Sequence, residues 1–82
     1  METTEIKSKI KGIVAAMFDI QPETIPDVKP FTQMAKYDSM RALEFLAKLE
    51  NDFDVLIDPD QLPNMITVDK TTLVIEGLLH AK

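Results

Sequence analysis

The chain has 82 residues, with nine Lys and Arg against fourteen Asp and Glu, so its formal net charge is −5 at pH 7. A chain of this length is expected to form one domain, residues 1–82, whose thin core leaves no room for a deep active-site cleft. The acidic balance argues against nucleic acid as a partner, because a phosphate backbone is bound by clustered Lys and Arg. The chain has no cysteine, so it forms no disulfide and any thiol chemistry must come from an attached group.

The sequence gives no sign of a membrane segment or a secretion signal. The longest apolar run, residues 13–18, is far too short to span a bilayer. The acidic residues Glu2 and Glu5 stand where a signal peptide would carry basic ones. We therefore expect a soluble, cytoplasmic protein, and a monomer, since no broad extra apolar stripe is evident.

Apolar residues at helical spacing predict a first helix from residue 4 to about residue 19. Its stripe consists of Ile6, Ile10, Ile13, Val14 and Met17. Because such a stripe on a short helix normally packs into a core, we expect these side chains to be buried.

A long connection follows, from residue 20 to residue 37. The prolines that exclude a continuous helix here are Pro22, Pro26 and Pro30. A loop of this length in a small domain is usually functional or is packed down by its own side chains. The residues expected to anchor it are Ile25, Val28, Phe31 and Met34. Among them, Phe31 is expected to enter the core.

The second helix is predicted over residues 39 to 51 or 53. Asp38 is a suitable N-cap for it, because its carboxylate can accept the free N–H groups of the first turn. The residues near the apolar stripe are Met40, Leu43, Leu46, Ala47, Glu50 and Phe53, with Phe45 and Leu49 widening it. The residues on the opposite face are Arg41, Glu44, Lys48 and Asp52.

Two more helices are predicted after a short apolar link at residues 54–57. Asp58 followed by Pro59 is typical of a cap and a first helical position, and Pro63 limits this third helix to about one turn. The last helix is expected to begin at Thr67 or Asp69. Its face is formed by Val68, Thr72, Ile75 and Leu79, with Leu78 beside it.

The most informative feature is the tripeptide Asp38-Ser39-Met40 at the start of the second helix. A helix N-terminus offers unpaired backbone N–H groups and the positive end of the helix dipole, so it suits a phosphate. Ser39 is therefore a candidate for carrying a phosphodiester-linked group.

Enzyme and metal-site interpretations of the same chain fail. Ser39 lacks a base for nucleophilic catalysis, since the only histidine is His80, near the C-terminus, and no G-x-S-x-G motif is present. We expect His80 to be a cation at the end of the last helix or a solvated residue. A calcium loop starting at Asp52 would place Ile57 and Pro63 where glycine and glutamate are required. One histidine and no cysteine leave little for a transition metal, so we expect neither catalytic residues nor a metal site.

The order of a helix, a long loop, an Asp-Ser helix, a short helix and a final helix resembles that of the acyl and peptidyl carrier proteins. The resemblance covers nearly the whole chain. Its strongest part runs from Asp38-Ser39-Met40 to Phe53, and it continues at residues 66–68. Phe31 also matches the loop anchor of that family.

The resemblance implies an all-α, four-helix bundle with a long first loop and a short third helix. It also implies that Ser39 carries 4′-phosphopantetheine, which a separate phosphopantetheinyl transferase installs from coenzyme A. The thiol of this arm would hold an acyl or aminoacyl group as a thioester for acyl-loading and acyl-processing enzymes. Asp38 would help to position the serine and the metal-bound coenzyme A of the transferase. Met40, Arg41 and Glu44 would face the partner enzymes.

Two features depart from the family pattern. Lys36 stands, before Tyr37, at a position where the family often has glycine, so a left-handed backbone is not freely available there. The departure at Lys36 concerns which transferase recognises the chain more than whether the serine is modified. Arg41 and Lys48 interrupt the acidic residues of the second helix, which favours a specialised carrier over the general carrier of fatty-acid synthesis. Carriers for fatty acids, polyketides and nonribosomal peptides share the framework.

One alternative belongs to a different class of protein. It is an unmodified helical module that binds another protein and uses Asp38 and Ser39 only to begin a helix. The change Ser39→Ala separates the two, because it would abolish carrier function and would cost an interaction module little. A sheltered acyl chain, in the carrier hypothesis, would need a space between the second helix and its neighbours, lined by Phe45, Leu46 and Ile66.

Overall fold

A computed structural model describes residues 2–34 and 37–81. The α-helices are α1 (Thr3–Phe18), α2 (Ser39–Phe53) and α3 (Val68–His80). Shorter 3₁₀ helices occupy Pro22–Thr24, Phe31–Gln33 and Pro59–Asn64. The described residues contain no strand, so the predicted all-α fold with a long first loop is confirmed. The short third helix is also confirmed, as a 3₁₀ helix that contains Pro63.

Helix α1 lies at the centre of the bundle and packs against both α2 and α3. Its predicted stripe is confirmed by the burial of Ile6, Ile10, Ile13 and Val14, while Met17 is half-buried. Burial of each such aliphatic side chain stabilises a fold by about 1.5–3 kcal/mol. The start of α1 is tied to α3 because the Thr3 hydroxyl donates a hydrogen bond to the Glu76 carboxylate at 2.6 Å.

The buried face of α2 differs from the predicted stripe. The buried residues are Ala42, Phe45, Leu46, Leu49 and Phe53. Three residues placed near that stripe are exposed, namely Met40, Leu43 and Ala47, and exposure of Met40 is what a partner-facing residue requires. Glu50 is half-buried, but its carboxylate accepts a hydrogen bond from the backbone N–H of Ile57 at 2.8 Å. The helix is thus rotated so that Phe45 and Leu49 face the core and Glu50 faces the link that follows.

Helices α1 and α2 end in the same way. Asp19 and Asp54, which follow them, have φ angles of 56° and 54° and lie in the left-handed region. The N–H of the next residue bonds to the carbonyl of the residue five positions earlier, at 3.1 Å after α1 and 3.2 Å after α2. Aspartate tolerates this conformation better than most residues that carry a Cβ. The turn after α2 directs Val55 into the core.

Phe31 anchors the first loop, as predicted. Its side chain is 4% exposed, and its ring meets that of Phe45 edge-on with 5.3 Å between the ring centroids. Its backbone N–H donates to the carbonyl of Ile66 at 2.6 Å. Ile25 is buried as well and Met34 is half-buried against the core. The prediction for Val28 was wrong, because this side chain is 73% exposed.

The turn at residue 27 explains why Val28 faces solvent. Asp27 lies between two lysines of α1, with its carboxylate 3.1 Å from Lys7 Nζ and 2.6 Å from Lys11 Nζ. Lys7 also lies 2.8 Å from the carboxylate of Asp69, whose backbone N–H donates to the Asp27 carbonyl at 3.0 Å. These contacts fasten the loop to α1 and to the start of α3. The apolar residue that follows is therefore left outside.

The contacts in this cluster shift the pKa of two of its members, Asp27 and Lys7. Hydrogen bonds from Lys11 and Lys7 hold the pKa of the Asp27 carboxyl below its usual value. Hydrogen bonds to Asp69 and Asp27 raise the pKa of Lys7. Asp27 therefore contributes stability that is present above its unfolded-state pKa and is lost as pH falls through its folded-state pKa. Lys7 contributes stability that is present below its unfolded-state pKa and is lost as pH rises through its folded-state pKa.

Two loop substitutions should differ sharply in their effect on stability. Phe31→Ala should lower the free energy of unfolding by about 3 kcal/mol, because it empties a site between the loop and α2. Val28→Ala should change it by less than about 0.5 kcal/mol, since that side chain is exposed. Urea denaturation followed by circular dichroism measures both. Similar losses in the two variants would contradict the assigned anchor.

The variant Asp27→Asn should be less stable than the parent at pH 7. This deficit should begin to shrink below about pH 4, where the carboxyl of the unfolded parent takes up a proton, and should shrink further as pH falls through the lower folded-state pKa of Asp27. Urea denaturation at pH 7 and pH 3 measures it. Asp52→Asn is the control, since Asp52 is exposed and forms no ion pair with any residue in the described ranges. A deficit for Asp27→Asn that is equal at both pH values would exclude the electrostatic explanation.

Candidate functional site

Asp38 fixes the point at which α2 begins. Its backbone is extended, with φ −155° and ψ 179°, and its carboxylate accepts a hydrogen bond from the N–H of Arg41 at 2.8 Å. Its carbonyl accepts the N–H of Ala42 at 3.0 Å, which is the first intrahelical bond. The predicted N-cap is therefore confirmed. A cap of this kind typically stabilises a helix by about 1 kcal/mol.

Ser39 is the first residue of α2 and is exposed. No acceptor in the described ranges, residues 2–34 and 37–81, takes the backbone N–H of Ser39 or of Met40. Both groups belong to the first turn, whose N–H bonds are directed out of the N-terminal end of the helix. Together with the helix dipole they place partial positive charge beside the Ser39 hydroxyl, next to the negative carboxylate of Asp38. An anionic ester on that hydroxyl would be stabilised there.

The segment that leads to this serine is held to the loop on one side. The backbone N–H of Tyr37 donates to the carbonyl of Met34 at 3.1 Å, and both side chains pack against the core. The chain therefore reaches Asp38 from Tyr37, which is held against the core. Lys36, where the sequence departs from the carrier pattern, lies outside the described residues.

The exposed face of α2 next to Ser39 is partly apolar. Met40 is 76% exposed and Leu43 is 55% exposed, one helical turn further along. Arg41 and Glu44 share this part of the helix, with 3.9 Å between Nη1 and the carboxylate. The structure thus brings Met40, Arg41 and Glu44 together near Ser39. We call Met40, Arg41, Leu43 and Glu44 the α2 face.

Leu43 is the member of the α2 face that sequence reasoning missed. It was assigned to the apolar stripe because it stands three residues after Met40 and three before Leu46. A signal was present, since Phe45 and Leu49 form a second, bulkier stripe that could occupy the core instead. Two apolar side chains that stay in water at one end of a helix are a candidate contact for another protein.

Among residues 2–34 and 37–81, no side chain forms a hydrogen bond with the Ser39 hydroxyl. The Asp38 carboxylate is already engaged with the Arg41 N–H, and His80 lies in the last turn of α3. Within the described ranges, no group of three or more His, Cys, Asp or Glu residues is arranged to hold a metal ion. None of the helices in that part of the chain is both long and apolar enough to cross a membrane.

The residues proposed to line an acyl pocket are found in different environments. Phe45 and Leu46 are buried, and Ile66 is half-buried. Phe31 lies between them, since its ring contacts Phe45 and its N–H bonds to the Ile66 carbonyl. Phe31 of the loop therefore lies beside the residues that were expected to line this space.

Comparison with known proteins is consistent with this geometry. A family model described as a phosphopantetheine attachment site matches residues 8–72. The chain is 32% identical over 69 residues to polyketide-8 synthase acyl carrier protein 1 of Streptomyces avermitilis, covering 84% of this chain and 82% of the relative. It is 30% identical over 78 residues to the acyl carrier protein of Karelsulcia muelleri, covering 95% and 94%. A similar relative is the acyl carrier protein of Thermosynechococcus vestitus, 31% identical over 68 residues, covering 83% and 84%.

Proposed function

This chain belongs to the phosphopantetheine-binding carrier proteins, as a non-catalytic acyl carrier protein, and we propose that Ser39 is the residue that carries its phosphopantetheine. The observation that supports this assignment is the exposed serine at the capped N-terminus of α2. The neighbouring N–H groups and the helix dipole favour the negative charge of a phosphodiester. In this proposal residues 1–82 form one carrier domain.

The cofactor and the protein have different roles in this proposal. When bound, the arm supplies a thiol that holds an acyl or aminoacyl group as a thioester. The chain contributes the Ser39 hydroxyl and the rigid helix start that presents it. Asp38 orients the serine through its cap and, by the family resemblance, also helps to position the metal-bound coenzyme A of the transferase.

The partner enzymes provide the chemistry that this chain lacks. A phosphopantetheinyl transferase would attach the arm, and acyl-loading and acyl-processing enzymes would act on the thioester. The α2 face is the proposed contact for them, because its apolar side chains are exposed beside Ser39. A flexible arm on a docked carrier raises the local concentration of the acyl group at each partner's site.

We further propose that this is a specialised carrier that acts as a monomer in the cytoplasm. The support is the mixed charge of α2, where Arg41 pairs with Glu44 and Lys48 interrupts the acidic residues. Such a surface suits partners that are less uniformly basic than those of a strongly acidic carrier. The relatives include both polyketide and general acyl carrier proteins.

The first test is modification of Ser39. Incubation with coenzyme A, magnesium and a broad-specificity phosphopantetheinyl transferase should add the mass of one phosphopantetheine to the parent and none to Ser39→Ala. Intact mass spectrometry measures this. The matched control is Ser8→Ala, which removes an exposed serine of α1 and should leave the modification unchanged.

The free energies of unfolding of the two alanine variants should stay within about 0.5 kcal/mol of the parent, because both serines are exposed. A folded parent that gains no mass with several transferases would instead favour the unmodified interaction module. A gain of mass on Ser39→Ala would place the arm on another residue.

The second test concerns the α2 face. Met40→Glu and Leu43→Glu should each raise the KM of a partner for the loaded carrier about tenfold, as expected when an interface loses about 1.4 kcal/mol. Leu73→Glu is the control, because Leu73 is similarly exposed (68%) but lies on α3. Thermal denaturation should show that all three variants remain folded. Unchanged KM values for both α2 variants would exclude this face as the docking contact.

A further inference from the structure

An open groove of about 350 Å³ lies between α3 and residues 56–61, which follow α2. Its lining is largely apolar, since Ile57 is buried and Val74 is half-buried against the core. Two lining leucines are left in water, Leu56 with 88% and Leu73 with 68% of the residue exposed. We call Leu56, Ile57, Leu73, Val74 and Gly77 the α3 groove. Exposed leucines beside an apolar lining are typical of a surface that another protein covers.

Gly77 gives the α3 groove a place where a second backbone can come close. A glycine inside a helix is less favourable than almost any other residue except proline. Its φ angle is not positive, and no neighbour outside its own stretch of helix lies within 4 Å of the position that a Cβ would take. Packing within the described residues therefore does not require a glycine here. The missing side chain instead allows close approach to α3 from outside, one helical turn after Leu73.

The border of the α3 groove that follows α2 is acidic. The acidic residues from residue 49 to residue 69 are Glu50, Asp52, Asp54, Asp58, Asp60 and Asp69, and this stretch has no Lys, Arg or His. Asp58 lines the groove, and both Asp58 and Asp60 are exposed. Lys70 lines the adjoining hollow, towards the start of α3. Basic side chains on a partner would complement the carboxylates, whereas a second copy of this chain would bring like charges together.

The groove favours a helix over an extended peptide as its occupant. The described residues contain no strand whose edge an extended peptide could join. An extended peptide would therefore leave its backbone N–H and C=O groups without partners over the apolar lining, and such groups are costly to bury. A helix satisfies its own backbone groups. An amphipathic helix can also place one apolar face against both Leu56 and Leu73.

The α3 groove is remote from Ser39. The backbone N–H of Ile57, which lines the groove, donates to the Glu50 carboxylate at 2.8 Å. Glu50 follows Ser39 by eleven residues of α2. This spacing corresponds to about 16 Å along the helix axis. A helix bound in the groove would therefore leave the serine and the α2 face open to other proteins.

We propose that the α3 groove binds a basic, amphipathic helix of a partner protein, which holds this chain while enzymes exchange at the α2 face. The apolar side chains of that helix cover Leu56 and Leu73. Its backbone approaches α3 at Gly77, and its lysines or arginines lie near Asp58 and Asp60. The groove is a second protein contact, and it does not depend on a group attached to the chain.

The probe is a fluorescein-labelled peptide of about 18 residues, long enough to form a helix, with leucines on one face and lysines on the other. Fluorescence anisotropy at low salt measures its binding to the full chain. The lysine peptide should bind saturably, and a peptide with glutamate in place of every lysine should bind at least about tenfold more weakly. Backbone NMR of the chain should show the largest shifts at Leu56, Leu73 and Gly77, with little change at Met40 and Leu43.

Leucine variants locate the contact. Leu56→Gln and Leu73→Gln should each weaken binding of the lysine peptide about tenfold, because each removes an apolar side chain that the peptide covers. Leu43→Gln is the matched control, since Leu43 is also an exposed leucine (55%) but belongs to the α2 face. It should change the affinity less than about twofold. None of these changes alters the charge, so the general attraction of lysines to an acidic protein stays the same.

Glycine variants separate binding from folding. Glutamine favours a helix more than glycine does, and the space for its Cβ is open, so Gly77→Gln should not lower the melting temperature. Its side chain should nevertheless weaken binding of the lysine peptide about tenfold, because it keeps the peptide backbone away from α3. Gly12→Gln is the matched control, since Gly12 is an exposed glycine of α1 with similar open space. It should bind the peptide as the parent does.

Three results would overturn the proposal. They are the lack of saturable binding at about 1 mM of the chain, equal affinity for the two peptides, and equal weakening by Leu43→Gln and the groove variants. Sedimentation of the chain alone tests the other occupant. Dimers that form with rising concentration and are lost in Leu73→Gln would assign the groove to a second copy instead. Modification of Ser39 is measured separately by intact mass, so the proposed function stands or fails independently.

Discussion

The position of Phe31 is the constraint on which the rest of the structure depends. This one residue uses its ring to contact Phe45 of α2 and its backbone N–H to hold Ile66, just before α3. Together with the contacts of Asp27, it fixes the path of the long first loop, in which prolines prevent a continuous helix. The loop in turn sets where the chain arrives at Tyr37 and Asp38. The location of the serine thus follows from an aromatic contact several residues before it.

Most of the groups around Ser39 belong to the start of α2 itself. One carboxylate, that of Asp38, sets the first turn of α2, and the backbone N–H groups of that turn provide the electrostatic environment. These groups depend on helix geometry more than on side-chain identity. The remaining side chains at this end, above all Met40 and Leu43, are free to serve recognition. In the proposed function, attachment and recognition would therefore use different groups at this end of α2.

The sequence was sufficient to predict a structural feature where the pattern is local and allows one clear interpretation. The Asp38 cap, the α1 stripe and the Phe31 anchor each follow from a residue type and its spacing. The rotation of α2 could not be predicted in this way, because two overlapping apolar stripes are present and only tertiary packing decides that Phe45 and Leu49 are inside. Val28 was misplaced for a different reason. Asp27 contacts residues of α1 and α3 that are distant from it in sequence, and no local sequence pattern predicts such contacts.

The small size of the α2 face also affects how long a complex with a partner protein would last. Two exposed apolar side chains and one loose ion pair are typical of a weak contact at the lower end of interface sizes. If such a contact has a Kd of about 10 µM and an association rate of about 10⁶ M⁻¹ s⁻¹, the complex separates about ten times per second. Typical enzymes turn over at about the same rate, about 10 s⁻¹. A helix that bound its partners more tightly would lengthen the residence time of the complex. Dissociation, and not the chemical step, would then limit how fast the proposed carrier moves from one enzyme to the next.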